Sequence, residues 1–292
     1  MRIPSLVACT LLGAALFLNA ATVDVWPVDS LTKVFPDDAA GTNHAQPQSW
    51  LLPRNGHATV QFAVRSAAAI GDLNVQATVG GGVRVQVRHV GYVPVGSNPP
   101  GTPYDEVVRQ APGLFPDPLF EKFPYSLAAN RTEAIWITLY APASAKPGRY
   151  DGEAVFESGG RKVASAPFRI EVTQAAVPER QVLKVTNWFN TSAASLAEQF
   201  PIKGSDDRYW ELLGNIGRVM ADHRQNVLLT PVFELTTPRI EGGKLAYDFA
   251  RLDRWVETFE KAGLIGTIEG GHLLARASGF DTPLQIPAYS QV

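Results

Sequence analysis

Four consecutive residues, Asn187, Trp188, Phe189 and Asn190, join two flat aromatic faces to two amides. An aromatic face stacks on the apolar side of a saturated ring, while an amide both donates and accepts, so this group can hold a ligand rich in hydroxyl or acetamido groups. The alternative is that Trp188 only packs the rim of its domain. Thr230 and Glu234 follow one apolar run; Glu269, Gly270, Gly271 and His272 follow another. Glu234 can accept from a hydroxyl, or be an ordinary solvated carboxylate. His272 can donate to a ligand or bond the backbone, and the paired glycines let a ligand approach the main chain. His223, Arg224 and Asn226 sit where a helix feeds a strand and read as structural, the first two near a helix C-terminal dipole.

Other chemistries lack their residues. The five histidines are scattered, no His-Glu-x-x-His occurs, and the single cysteine, Cys9, lies in the N-terminal apolar segment. Neither a metal site nor a cofactor is expected. Gly80-Gly81-Gly82 precedes a strand rather than a helix and lacks anion-binding geometry. With 26 basic and 28 acidic residues, a net charge of -2 and no run of either sign, nothing favours nucleic acid or an anionic membrane as partner.

The elements that must position these residues begin at Val182. Val182 to Phe189 is an apolar, β-branched run and predicts a strand. Asp206 or Asp207 can cap a helix whose apolar face is Trp210, Leu213, Ile216, Val219 and Met220. Asn226 to Phe233 predicts a second strand, and Pro238 to Tyr247 a small hairpin around Gly242-Gly243. A second helix turns Phe249, Leu252, Trp255, Val256 and Phe259 inward and ends at Gly263; Leu264 to Ile268 predicts a third strand. Alternating strands and helices imply parallel pairing. Residues 182–292 are therefore expected to be the N-terminal part of an incomplete (β/α)8 barrel, since a whole one takes about 250 residues. In that architecture sites form at the C-terminal ends of strands, where Asn187, Trp188, Asn190, Thr230, Glu234 and His272 fall. The tail from Ala275 reads as an interrupted βα loop.

Residues 22–178 follow a different pattern. His57 to Arg65, Val83 to Val95 and Ala134 to Tyr140 alternate apolar and polar residues, and Tyr150 to Val172 folds back at Gly159-Gly160. Six or seven antiparallel strands without crossover helices predict a β-sandwich. The Pro-rich stretch Ser97 to Pro124 is expected to be a long loop or lid. Residues 1–21, with Arg2, an apolar run from Leu6 to Leu18, and Ala20 and Ala21, read as an export signal, about 13 apolar residues being too few to span a bilayer. Its removal would leave a secreted or periplasmic protein without a membrane anchor.

Five segments taken in order carry a resemblance: Val25 to Phe35, Val90 to Val95, Pro116-Asp117-Pro118-Leu119, Lys146 to Gly152, and His223 to Val227. Together they resemble glycoside hydrolase family 123-like proteins, which pair an N-terminal β-sandwich with a (β/α)8 barrel. The resemblance implies an exported β-N-acetylgalactosaminidase or related hydrolase acting on a carbohydrate. It also implies substrate-assisted retention, in which the 2-acetamido oxygen of the sugar attacks the anomeric carbon, one carboxylate steadies that group and its neighbour is the general acid, outside the usual two-carboxylate scheme. In the family these two are an adjacent Asp-Glu pair at the end of a later barrel strand. Here the only such dipeptide is Asp105-Glu106, in the Pro-rich stretch, so no catalytic residue is assigned within the chain and the pair is expected beyond Val292. The competing expectation is a noncatalytic carbohydrate-binding or adhesion module.

Overall fold

In the computed structural model, which describes residues 23–39, 49–203, 206–264, 266–272, 274–276 and 278–286, the chain divides into two compact units, Met1–Glu179 and Arg180–Val292. The export signal expected at 1–21 lies outside the described residues.

The alternating segments of the first unit form ten strands: β1 (Val23–Val28), β2 (Trp50–Arg54), β3 (Gly56–Ser66), β4 (Ile70–Val79), β5 (Arg84–Val95), β6 (Gly113–Phe120), β7 (Tyr125–Leu127), β8 (Thr132–Ala141), β9 (Gly148–Ser158) and β10 (Arg161–Ala176). They make two five-stranded sheets, ordered β1-β3-β8-β5-β6 and β2-β10-β9-β4-β7. Pairing is antiparallel except for β2, which runs parallel to β10. The alternation works as expected on β8: Ile135, Ile137 and Leu139 enter a core shared with Phe62, Leu73, Phe156 and Ile170. Each large side chain buried there contributes about 1.5–3 kcal/mol.

Two features depart from the sequence expectation. The Pro-rich stretch is not all loop, because residues 113–120 pair with β5 as β6. β6 ends its sheet, and an edge is where Pro116 and Pro118 can sit without breaking a ladder on both sides. Gln61, on the polar side of the β3 alternation, is only 3% exposed. Residues 29–34 cross that face, and Gln61 Nε2 donates to the carbonyls of Asp29 (2.9 Å) and Thr32 (3.1 Å). Beside it Val28, Val34, Ala63, Val90 and Ala134 form a second small core with Trp26 and Trp136. Gly152 faces Phe168 in the β9–β10 register. A Cβ there would lie 2.4 Å from Phe168 Cζ, so the ring occupies the space a side chain would need.

One carboxylate of this unit is out of its ordinary range. Glu133 on β8 has an ion-pair partner, Arg131, at 3.4 Å, yet burial pushes its carboxyl up from 4.5 to about 7, the guanidinium offsetting only part of that. Its charge in turn helps to raise the phenols of Tyr92 and Tyr125, whose shifts are due first to burial. A folded-state pKa above the unfolded one means that the folded chain holds this proton more tightly. The contribution is then fully present below about 4.5 and is lost as pH rises toward 7. Glu133→Gln is expected to flatten this slope and, near pH 8, to raise the stability of the first unit by on the order of 1–2 kcal/mol, after allowing for partial solvent contact. Denaturant unfolding at about pH 5 and about pH 8 checks this; an unchanged slope in the variant would exclude it.

The second unit contains α1 (Ala193–Gln199), α2 (Asp206–Asp222), β11 (Val227–Thr230), α3 (Val232–Leu235), a hairpin of β12 (Thr237–Glu241) and β13 (Lys244–Asp248), α4 (Ala250–Lys261), β14 (Thr267–Gly270), and a short pair, β15 (Ala275–Arg276) with β16 (Leu284–Gln285). β11 and β14 pair in parallel, Val227 opposite Thr267 through Thr230 opposite Gly270. The two long helices match their sequence periodicity except at Val219 of α2 and at Phe249, which precedes α4 as its N-cap; both are exposed rather than inward. Trp210 and Leu213 of α2 and Trp255 and Phe259 of α4 share one core with Leu228. Gly217 permits their close approach, since a Cβ there would come within 2.9 Å of Ala262 and Phe259. Gly263, at φ +84, ends α4; Leu264 N then donates to Phe259 O (3.1 Å) and Gly263 N to Glu260 O (2.9 Å), the double bond pattern of a Schellman cap.

The strand boundaries differ from expectation. Residues 182–189 form no ladder: Val182 is 86% exposed, and the segment is joined to the start of β11 through Val185. The Val185 carbonyl accepts from Asn226 N (3.2 Å) and Val227 N (3.1 Å), and its N–H donates to Asn226 Oδ1 (2.9 Å). The second strand stops at Thr230 because Pro231 opens α3. The third is Thr267–Gly270, displaced because Leu264 belongs to the cap of α4.

Candidate functional site

Although 182–189 is not a ladder strand, its even-numbered residues share one set of partners. Lys184 Nζ donates to Thr267 Oγ1. Thr186 Oγ1 donates to Glu269 Oε2 at 3.0 Å, and Trp188 Nε1 donates to the same oxygen at 3.2 Å. Residues two apart on an extended segment point to one face, which is how three side chains reach the β14 pair. The Trp188 indole also meets His272 edge-on, with ring centroids 5.2 Å apart and planes at 85°. Gly271 N donates to Thr230 O at 2.9 Å, which fixes the chain just ahead of His272.

The result is an exposed indole, 55% accessible, oriented by a half-buried carboxylate and an imidazole. Its nitrogen is already committed to Glu269, so what it offers a ligand is its apolar face. Glu269 and His272 add groups able to accept from and donate to hydroxyls beside that face.

The other candidate residues have different surroundings. Asn187 Nδ2 donates to Gln225 Oε1 (3.2 Å), and Gln225 Nε2 returns a bond to the Asn187 carbonyl (3.3 Å); because Gln225 is buried, this exchange ties the segment to the base of β11. Asn190 Oδ1 accepts from Ser192 N (3.0 Å), shaping the turn before α1, where Ser192 Oγ accepts from Ser195 N as the helix cap. Thr230 is wholly buried, its Oγ1 donating to Leu228 O (3.3 Å), and it acts on the site through its carbonyl. Glu234 is exposed on α3. Its charge helps raise the Tyr209 phenol, whose shift is due first to burial, and Tyr209 Oη donates to Thr191 O (2.9 Å). A cavity of about 560 Å³ is lined by α1 residues including Glu198, with Ile202, Lys203, Asp206, Tyr209 and Arg251; Trp188 and Glu269 are not among its walls.

Sequence reasoning placed Trp188 and His272 in the set but gave Glu269 only as a neighbour of the glycines, and overlooked Lys184 and Thr186. The two-residue spacing of Lys184, Thr186 and Trp188 was the available signal. Among the described residues no group of three or more His, Cys, Asp or Glu side chains could hold a metal ion, and no helix is long and apolar enough to cross a membrane. Asp105 and Glu106 lie exposed in a single 3-10 turn of the first unit.

Residues 188–282 match the catalytic domain of glycoside hydrolase 123. Among solved structures, a family 123 glycoside hydrolase from Clostridium perfringens, described in connection with glycolipid glycan hydrolysis, aligns with a TM-score of 0.65 at 12% identity, over 85% of this chain and 48% of that one. A CARDB domain from Pyrococcus furiosus (TM-score 0.26, 12% identity, 52% of this chain and 94% of that one) and a human PapD-like domain (0.25, 8%, 60% and 100%) align only loosely. Comparison with curated protein sequences gives no match. The chain spans about half the length of the Clostridium perfringens structure, and at that identity the likeness speaks for the fold. The chain thus resembles the glycoside hydrolase 123 proteins, in fold along most of its length and in sequence across the segment that carries Trp188, Glu269 and His272.

Proposed function

We propose that this chain is the N-terminal portion of an exported glycoside hydrolase of the β-N-acetylgalactosaminidase type, a β-sandwich followed by the opening of a (β/α)8 barrel. Residues 1–21 direct export in this reading, and the second unit supplies part of a sugar-binding rim. The observation that carries it is the Trp188 indole held between Glu269 and His272 within the segment matched by the glycoside hydrolase 123 catalytic domain. An immobilised aromatic face beside a carboxylate and an imidazole stacks a pyranose and bonds its hydroxyls without first paying to order the indole. Substrate-assisted retention, with the acetamido group as internal nucleophile, is the reaction this rim would serve. The exposed Asp105-Glu106 turn of the first unit has no part in it.

Titration of the chain with N-acetylgalactosamine, followed by ligand-observed NMR, tests the reading. Trp188→Ala is expected to weaken binding about tenfold or more, and Glu269→Gln about threefold, because the amide can still accept from the indole. Galactose, lacking the acetamido group, should bind less well. Equal affinity of Trp188→Ala and the unsubstituted chain would remove the rim from the proposal, and equal affinity for both sugars would remove the acetamido specificity.

A further inference from the structure

The first unit has a cluster that the second unit's chemistry does not use. His89, Gly91 and Tyr92 on β5, Tyr125 on β7, and Arg131 and Glu133 at the start of β8 line a cavity of about 490 Å³, within the usual size for a small-ligand site. The Arg131 guanidinium stands 5.1 Å over the Tyr92 ring. Its Nε lies 3.4 Å from Glu133 Oε1, an ion pair without hydrogen-bond geometry. His89 stacks on Tyr125, centroids 4.4 Å apart and planes at 3°. Tyr125 Oη is buried with no hydrogen-bond partner among the described residues. The Arg131 side chain is 32% accessible, so guanidinium N–H groups other than the buried Nε can donate to a ligand in the cavity.

The charges restrict that ligand. An anion attracted to Arg131 would meet Glu133, and a cation attracted to Glu133 would meet Arg131, so the pair favours a neutral molecule. Neighbouring hydroxyls fit both, one oxygen accepting from the guanidinium while the next hydroxyl donates to the carboxylate. Tyr92, beneath the Arg131 guanidinium, and the stacked His89 and Tyr125 add ring surface to the same cavity, which suits the apolar flank of a sugar ring. We propose that the first unit carries its own saccharide site, in which Arg131 and Glu133 bind vicinal hydroxyls beside Tyr92 and the His89–Tyr125 stack. All of these residues belong to the first unit and precede residue 188, where the match to the glycoside hydrolase 123 catalytic domain begins.

The test is made on the full chain carrying Trp188→Ala, so that its outcome does not depend on the second unit. Galactose, glucose and N-acetylgalactosamine are the probes in saturation-transfer NMR, with sodium acetate and inorganic phosphate as charged competitors. At least one sugar is expected to receive saturation, with a loss of about tenfold in affinity on Arg131→Met and a smaller loss on Glu133→Gln. Glu133→Gln removes a buried charge and should fold at least as well as the parent chain, so a loss there reports recognition rather than unfolding. The proposal is overturned if no sugar binds in the Trp188→Ala background, if both first-unit variants bind as well as their parent, or if acetate or phosphate binds where the sugars do not.

Discussion

Trp255→Ala is expected to destabilise the second unit by about 3–5 kcal/mol, the cost of leaving a large cavity in a packed core. Trp255 has no solvent exposure; it packs on Phe259 with ring centroids 4.7 Å apart and shares its core with Trp210, Leu213 and Leu228. The parallel pair it supports is only four residues a side, too short to persist without the helices over it. The loss should therefore reach the rim, because Thr230 and Glu269 belong to those strands. Denaturant unfolding followed by near-ultraviolet circular dichroism reads it as a transition moved to lower denaturant, with the first unit's transition in place. Trp255→Phe is the informative companion. The indole N–H is buried and has no hydrogen-bond partner among the described residues, so removing it offsets part of the smaller cavity, and the loss should be less than half that of the alanine variant. An alanine variant with an unshifted transition would show that α4 does not support this unit.

Gly152→Val is expected to have the corresponding effect in the first unit, costing about 3 kcal/mol or more by overpacking. The new Cβ would lie 2.4, 2.5 and 2.9 Å from three atoms of the Phe168 ring. That ring cannot swing aside freely, since it is itself buried against Trp50 and Phe62 at centroid distances of 6.3 Å. Urea midpoints provide the measurement, with Gly71→Ala as control, a position where a Cβ meets nothing within 4 Å. Adding Phe168→Leu to Gly152→Val should recover part of the loss, because the two residues fill one space and their effects are not additive. A valine variant as stable as the parent would mean that the ring can find another place.

What could be read from the sequence follows from where each signal resides. The ladders of β3, β5, β8 and the β9–β10 hairpin were legible because alternation and a Gly-Gly turn, here with φ +57 and +69 at Gly159 and Gly160, are local properties. Helices α2 and α4 were legible for the same reason. β6 was not, because its prolines argue against a strand unless one knows that it lies at an edge. The burial of Gln61 depends on a crossing segment some thirty residues away in the chain, which no periodicity reveals. Val182 to Phe189 has a strand's composition, but a ladder needs a neighbour in register, and Val185 alone makes the backbone bonds to β11. In the site, Trp188 and His272 stood out by residue type and position. Glu269 became its centre only through pairing with Thr186 and Trp188 across the unit.

Those same bonds have a topological consequence. Thr186 and Glu269 are 83 positions apart and Trp188 and Glu269 81, so they close a ring of chain that contains both long helices. The entropy of closing such a ring rises only with the logarithm of its length, but it must be met before contacts between its ends can form. Helix packing around Trp255 meets it, and the bonds to Glu269 then act as a clasp on a loop already closed. A clasp with an exposed indole and few buried contacts is the first part to open and the last to fasten. If Trp188 takes a ligand as proposed, its capture would be coupled to opening of the loop's ends while the enclosed helices stay folded.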